Sequence, residues 1–220
     1  MKLKLLTLLL AASALTAACS DDDENTGPEG QARVRVIHAS PDAPAVDVLV
    51  DDAAALSNVD YLTASDYVEL ADGAHNVKVN AAGTSTTVID ADVDLTDGTD
   101  YSVIASGLLE AIQPIVLEDD NSTPAAGTVR VRAIHGAPSA PAVDVYVTAP
   151  GADLTAASPG LSNVAFGDVA DYLEVPAGDY QVRVTGAGTK TVVIDSGALT
   201  LTSGQVRTAI AVDAAGGGAP

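Results

Sequence analysis

One phrase of the chain is written twice. VRVIHASPDAPAVDVLV begins at Val34 and VRAIHGAPSAPAVDVYV at Val131, with 12 of 17 positions identical, where ordinary composition would give about one by chance. The match resumes with LSNV at Leu56 and Leu161, DYVELADG against DYLEVPAG, and NVKVNAAGTSTTVID against QVRVTGAGTKTVVID. A repeat of this length is a duplication of whole domains and not a short-period solenoid. The 220 residues therefore hold two small units, each long enough to enclose a modest core.

Inside each copy the apolar residues alternate, as at Val34 and Val36, Val46, Val48 and Val50, Val77 and Val79, or Val182 and Val184. Period two means strands with one buried face, and turn pairs such as Asp72-Gly73, Asp97-Gly98 and Ser203-Gly204 punctuate them. No helix-length periodic stretch stands out after the N-terminal segment. Six or seven short strands per copy predict an all-β chain of two tandem antiparallel β-sandwich domains, immunoglobulin-like or transthyretin-like in topology. The expected boundaries are residues 32–118 and 128–213, joined by the polar linker 119–127 and followed by a disordered glycine-rich tail, 214–220.

The N-terminus, MKLKLLTLLLAASALTAAC, has basic residues, then an apolar run and small residues, which is the pattern of an export signal and is too short to span a bilayer. Its last five residues, LTAAC, resemble a bacterial lipobox, with Thr16 where Leu is commonest. The resemblance implies a signal peptide over residues 1–19 and a diacylglyceryl group on Cys19, the sole cysteine. The alternative is an ordinary secretory signal cut after Ala14 or Ala18. Residues 20–31, SDDDENTGPEGQ, read as a flexible acidic tether. Ser20 after the cysteine resembles lipoproteins routed to the outer membrane, so the expected location is the cell envelope and the expected membrane partner is reached through the lipid.

Ten basic residues against thirty acidic ones give a formal charge of −20. Such a field excludes nucleic acid and anionic surfaces as natural partners. It also makes divalent cations worth weighing. The run DADVDLTDGTD sets Asp90, Asp92, Asp94 and Asp97 at spacings near those of a calcium loop, but Leu95 stands where the turn glycine belongs and Tyr101 where the bidentate Glu belongs. These are weak calcium candidates, and no other cofactor is expected. Tyr61, Tyr67, Tyr146 and Tyr172 are the aromatics available for a small glycan platform.

The phrase RVIHASPDAPAVDVLVD, followed by DYVEL, a glycine turn, an alternating NVKVN or QVRVT strand and TTVID or TVVID, resembles the bacterial domain of unknown function 4397. The resemblance covers nearly the whole chain after the signal, twice. It implies an extracytoplasmic β domain and supplies no catalytic residues.

The residues themselves describe a strand, a corner and a strand. Pro41 and Pro44, like Pro138 and Pro141, hold the link extended and remove amide donors. His38 or His135 is then placed to donate a ring N–H to a corner carbonyl, and Asp47 or Asp144 to accept a backbone N–H. As chemistry, His38, Ser40 and Asp42 would be base, nucleophile and orienting acid, yet the second copy has Ala137 and Ser139 in place of Ser40 and Asp42. One His and one Asp per copy are too few for zinc, and His75 has Tyr180 as its counterpart.

The first copy runs on into AIQPIVLED, whereas the second stops at VRTAIAVD. The second copy thus lacks a strand, and its edge is expected either to stand open to a protein partner or to be covered by residues 112–118. The whole reads as a lipid-anchored, non-catalytic surface interaction or structural module, with a calcium- or glycan-binding accessory lipoprotein as the alternative.

Overall fold

The computed structural model describes residues 30–218. The readings made on the signal, Cys19 and all but the end of the tether lie outside the described residues. The first domain contains β1 (Gln31–Ala39), β2 (Val46–Val50), β3 (Ala53–Val59), β4 (Val68–Ala71), β5 (Gly73–Ala81), β6 (Thr87–Leu95), β7 (Asp100–Ser106) and β8 (Gln113–Asp119). The second contains β9 (Thr128–His135), β10 (Val143–Thr148), β11 (Leu161–Val164), β12 (Leu173–Pro176), β13 (Gly178–Gly186), β14 (Val192–Leu201) and β15 (Val206–Ala211).

Each domain is two facing sheets. Their orders are β4-β1-β7-β8 and β3-β2-β5-β6 in the first domain, and β12-β9-β15 and β11-β10-β13-β14 in the second. The all-β tandem sandwich expected from period two is the architecture observed. Alternation carries no information on strand direction, and two pairs are parallel: β7 lies along β1 and β15 along β9, so the sheets that hold them are mixed.

The inward residues of the alternating runs make the first core. Val34, Val36, Val46, Val48, Val77, Val79, Ile89, Val93, Tyr101 and Val103 pack in one cluster, each aliphatic side chain contributing about 1.5–3 kcal/mol by leaving water. The outward residues of β1 and β7 are not left to solvent. Ala39 and Ile104, with Ile37, Ile115 and Leu117 beside them, meet Ile134, Ile210 and Val212 of the second domain. The two sandwiches therefore stack through the backs of the sheets that hold β1 and β9. As a consequence every residue of β7 is buried, polar ones included.

Residues 112–118 do not pair with the edge of the second domain, which overturns one of the two outcomes expected for that edge. Their strand β8 pairs antiparallel with β7 in its own domain, from Ser106↔Gln113 to Asp100↔Asp119. The return depends on Gly107, whose φ is +98 and where a Cβ would lie 2.7 Å from the Ala111 carbonyl oxygen. Only glycine suits such a position. The register of β15 on β9 puts Asp213 at the equivalent place, and the chain does not fold back there. Instead residues 214–218, expected as a disordered tail, lie against the first corner, where the Gly216 N–H donates to the Pro41 carbonyl at 2.7 Å.

Candidate functional site

The repeated corners are built alike. His38 is fully buried, its Nε2 3.0 Å from the Pro44 carbonyl oxygen and its Nδ1 3.3 Å from the Ser40 backbone nitrogen. His135 places Nε2 3.2 Å from the Pro141 oxygen and Nδ1 3.3 Å from the Ala137 nitrogen. A carbonyl only accepts and a backbone N–H only donates, so both rings carry the proton on Nε2. Tyr61 meets the first ring edge-on at 6.0 Å and Phe166 the second at 6.5 Å. Both nitrogens are thereby spent on the corner, and the ring edge is closed by an aromatic.

Asp47 and Asp144 do a different job from the one their nearness to the corner suggests. Asp47 accepts the Asn58 N–H at 2.8 Å and the Gly83 N–H at 2.9 Å. Asp144 accepts the Asn163 and Gly188 N–H groups, each at 2.8 Å. Asn58 and Asn163 have φ of +54 and +55, in the left-handed region, where the ladders β2–β3 and β10–β11 shift register. Each Asp thus pins a bulge in the edge strand on one side and the hairpin turn on the other. Donation from Gly83 and then Asn58 holds the Asp47 carboxyl below the usual carboxylate range, and donation from Asn163 and then Gly188 does the same for Asp144. The Asn of LSNV was the signal for this, since Asn tolerates the left-handed conformation.

The catalytic arrangement is absent in the first copy as well as the second. The His38 ring nitrogen faces the backbone of Ser40, not its hydroxyl, and Asp42 accepts the Leu109 N–H at 2.8 Å. Asp90 and Asp92 both accept from the Asn76 amide on the outward face of β6, at 2.8 and 3.0 Å, and Asp97 accepts the Gln31 N–H at 2.9 Å. Asp94 is exposed on the same strand face. Among the described residues no three His, Cys, Asp or Glu converge as a metal site would require. The four tyrosines do not form a platform. Tyr61 donates to the Asp213 carbonyl at 2.6 Å, Tyr67 lies under Arg35 at 5.0 Å, Tyr146 is buried beneath Lys190, and Tyr172 lies under Arg132 at 4.7 Å.

The polar run read as a linker opens with a residue of another kind. Asp119 closes β8, and its side chain is fully buried. It accepts from Arg132 of the second domain, from Tyr67, and from the Ser102 hydroxyl at 2.6 Å, with Arg35 at 3.3 Å. Burial first, and then the hydrogen bond to Asp119, push the Tyr67 phenol up to about 12. Beside it Arg33 and Asn121 hold Asp100, which burial would raise, below its ordinary value. This network ties the polar end of the stacked sheets, as the isoleucine cluster ties the apolar end.

The second domain is open where the first is closed. An apolar groove of about 460 Å³ runs between its sheets, with Ala133, Ala209 and Ala211 on one wall and Val182, Val184, Ile194 and Leu199 on the other. By the strand registers the small residues Ala133 and Ala209 replace Val36 and Val103. In the first domain β8 lies next to β6 on the corresponding side. Nothing among the described residues pairs with the outer edge of β15.

Comparison with known proteins points the same way as the repeated phrase. The profile described as Domain of unknown function (DUF4397) matches residues 5–49, 32–146 and 147–220. No curated protein matches the chain. Among solved structures, the Bacillus anthracis TIE protein is similar at 10% identity and a TM-score of 0.28, over 83% of this chain and 34% of its own, so the chain spans about a third of its length. A streptococcal virulence factor described for alpha-glucan binding is similar at 12% identity and a TM-score of 0.26, over 80% of this chain and 92% of its own. A leucine-rich repeat protein from Bacteroides thetaiotaomicron follows at 13% identity and a TM-score of 0.21, over 86% of this chain and 27% of its own. At these TM-scores nothing is carried over from the three structures.

Proposed function

The chain belongs to the family of domain of unknown function 4397, and on that premise we propose that it is a lipid-anchored cell-envelope protein acting as a non-catalytic surface interaction or structural module. The observation that carries this reading is the identical use of the repeated residues. In both copies the histidine spends its two ring nitrogens on the corner and the aspartate spends its two oxygens on backbone amides. Groups committed in this way brace a scaffold and leave no base or ligand free for substrate. The sequence around Cys19 supports the anchor, since acyl chains at about 0.8 kcal/mol per buried methylene hold a protein on a membrane. The acidic surface suits a protein partner better than nucleic acid.

Two measurements test the proposal. Cells fed labelled palmitate incorporate label into the chain and not into the Cys19→Ala variant; equal labelling of both refutes the anchor. A thermal melt with millimolar calcium and then with chelator gives unchanged midpoints; a large calcium-dependent rise favours a cation-binding accessory protein instead.

A further inference from the structure

We propose that the second domain is a strand acceptor: the outer edge of β15 and the apolar groove beside it receive an extended segment of a partner protein, running antiparallel to β15, apolar toward the groove and acidic opposite Arg207. This deepens the reading of the chain as an interaction module and rests on it.

The first domain shows how a strand lies along the equivalent edge, which no described strand occupies in the second. β8 lies antiparallel on β7 and sets Pro114, Val116 and Glu118 across from Ala105, Val103 and Tyr101. The equivalent positions of β15 are Ala211, Ala209 and Arg207. Tyr101 is buried in the closed first core, whereas Arg207 and Ala209 are exposed. A strand laid on β15 as β8 lies on β7 therefore puts a small floor under its middle apolar residue and a cation opposite its acidic one. Opposed cross-strand charges and matched apolar pairs are the units from which such a pairing gains stability. Arg207 makes no ion pair with a described residue.

A second observation stands at the far end of the groove. Asp213 lines it, is 3% exposed, and accepts the Ser139 N–H with Oδ2 while its Oδ1 has no partner among the described residues. A buried carboxylate oxygen without a donor is costly, and the backbone N–H of an entering segment is a donor of the right kind. An edge of unpaired amides, an apolar slot of about 460 Å³ and an unsatisfied acceptor at its end together describe a site for a peptide backbone, as in strand-addition complexes. A purely apolar small molecule would fill the slot and satisfy neither the edge nor Asp213. A second copy of the chain is a poor donor, because its β8 is already paired along its full length and holds Ile115 and Leu117 in the cluster between domains.

The probe is a fluorescent synthetic peptide of sequence IQPIVLED, added to the full chain carrying Cys19→Ser so that no acyl group competes for the groove. The expected results are saturable binding, slowed amide exchange in β15 and not in β7, and binding about fivefold weaker in Arg207→Glu, recovered by the peptide with Glu118→Lys. Unchanged melting of Arg207→Glu, whose side chain is exposed, shows that the variant folds. The proposal is overturned by absence of saturable binding, by equal binding of a scrambled peptide, or by protection that falls on β7. It is equally overturned if β15 is already protected in a concentration-dependent dimer, or if an apolar dye fills the groove while β15 exchanges freely with peptide present. Failure here leaves the palmitate result untouched, and failure of the anchor leaves this binding untouched.

Discussion

Replacing Asp119 by Ala removes one carboxylate from the junction of the two sandwiches and strands the groups that pointed at it. The Arg132 side chain is 3% exposed and would keep its charge with its anionic partner gone. The Tyr67 and Ser102 hydroxyls would lose their acceptor in the same step. Breaking a buried ion pair by deleting one member costs about 3–5 kcal/mol, and for a chain of this length each kcal/mol moves the melting midpoint by roughly 2–4 °C. The expected loss is about 10 °C in a calorimetric scan. Asp120 is the adjacent control, since it pairs with Arg130 but is half exposed, and its replacement by Ala is expected to leave the midpoint within error. The double variant Asp119→Leu with Arg132→Met, which removes the buried pair together, is expected to recover part of the loss, the Tyr67 and Ser102 hydroxyls still lacking their acceptor. Equal midpoints for the two alanine variants would refute the role given to Asp119 in fastening the domains.

Other consequences concern the braces and one exposed pair. His38→Ala takes out a fully buried ring and leaves the Pro44 carbonyl without its donor, a loss of about 2–4 kcal/mol in urea denaturation. A value near zero would mean that the corner does not depend on it. Asp47 and Asp144 have folded values held below the unfolded one, so their contribution is present above an ordinary carboxylate value of about 3.9 and disappears as pH falls through the folded value. Asp47→Asn with Asp144→Asn is expected to flatten that acid limb and to speed exchange of the Asn58, Gly83, Asn163 and Gly188 amides, which donate to the two carboxylates; unchanged exchange would contradict the bracing. His75 is raised by its hydrogen bond to Asp51. Its contribution is therefore complete below about 6.5 and is lost as pH rises through the folded value, and Asp51→Asn should remove this dependence from the urea midpoint.

How far this could be read from the chain alone follows from what alternation encodes. Val46 and Val48 or Val77 and Val79 declare a buried face wherever they occur, so the two sandwiches were legible. Strand direction leaves no such trace, and the parallel lie of β7 on β1 appears only in three dimensions. Asp119 looks like the first residue of a solvated run because its neighbours Asp120, Asn121 and Ser122 are polar; it is buried because Arg132 reaches it from the other copy, a contact that no local pattern announces. The unmatched AIQPIVLED did reveal that β8 of the first domain has no counterpart among the described residues of the second. The turn itself differs at one pair of positions, Gly107 with a positive φ of +98 and Asp213 without one.

Two imidazoles that serve as struts carry the scaffold reading, and their tautomers test it most directly. Nitrogen-15 NMR of the histidine rings, recorded with and without zinc or calcium, is expected to show His38 and His135 alike as Nε2–H, with spectra indifferent to either ion. A proton on Nδ1, or signals that move when metal is added, would mean that these nitrogens are available for chemistry and would contradict the account.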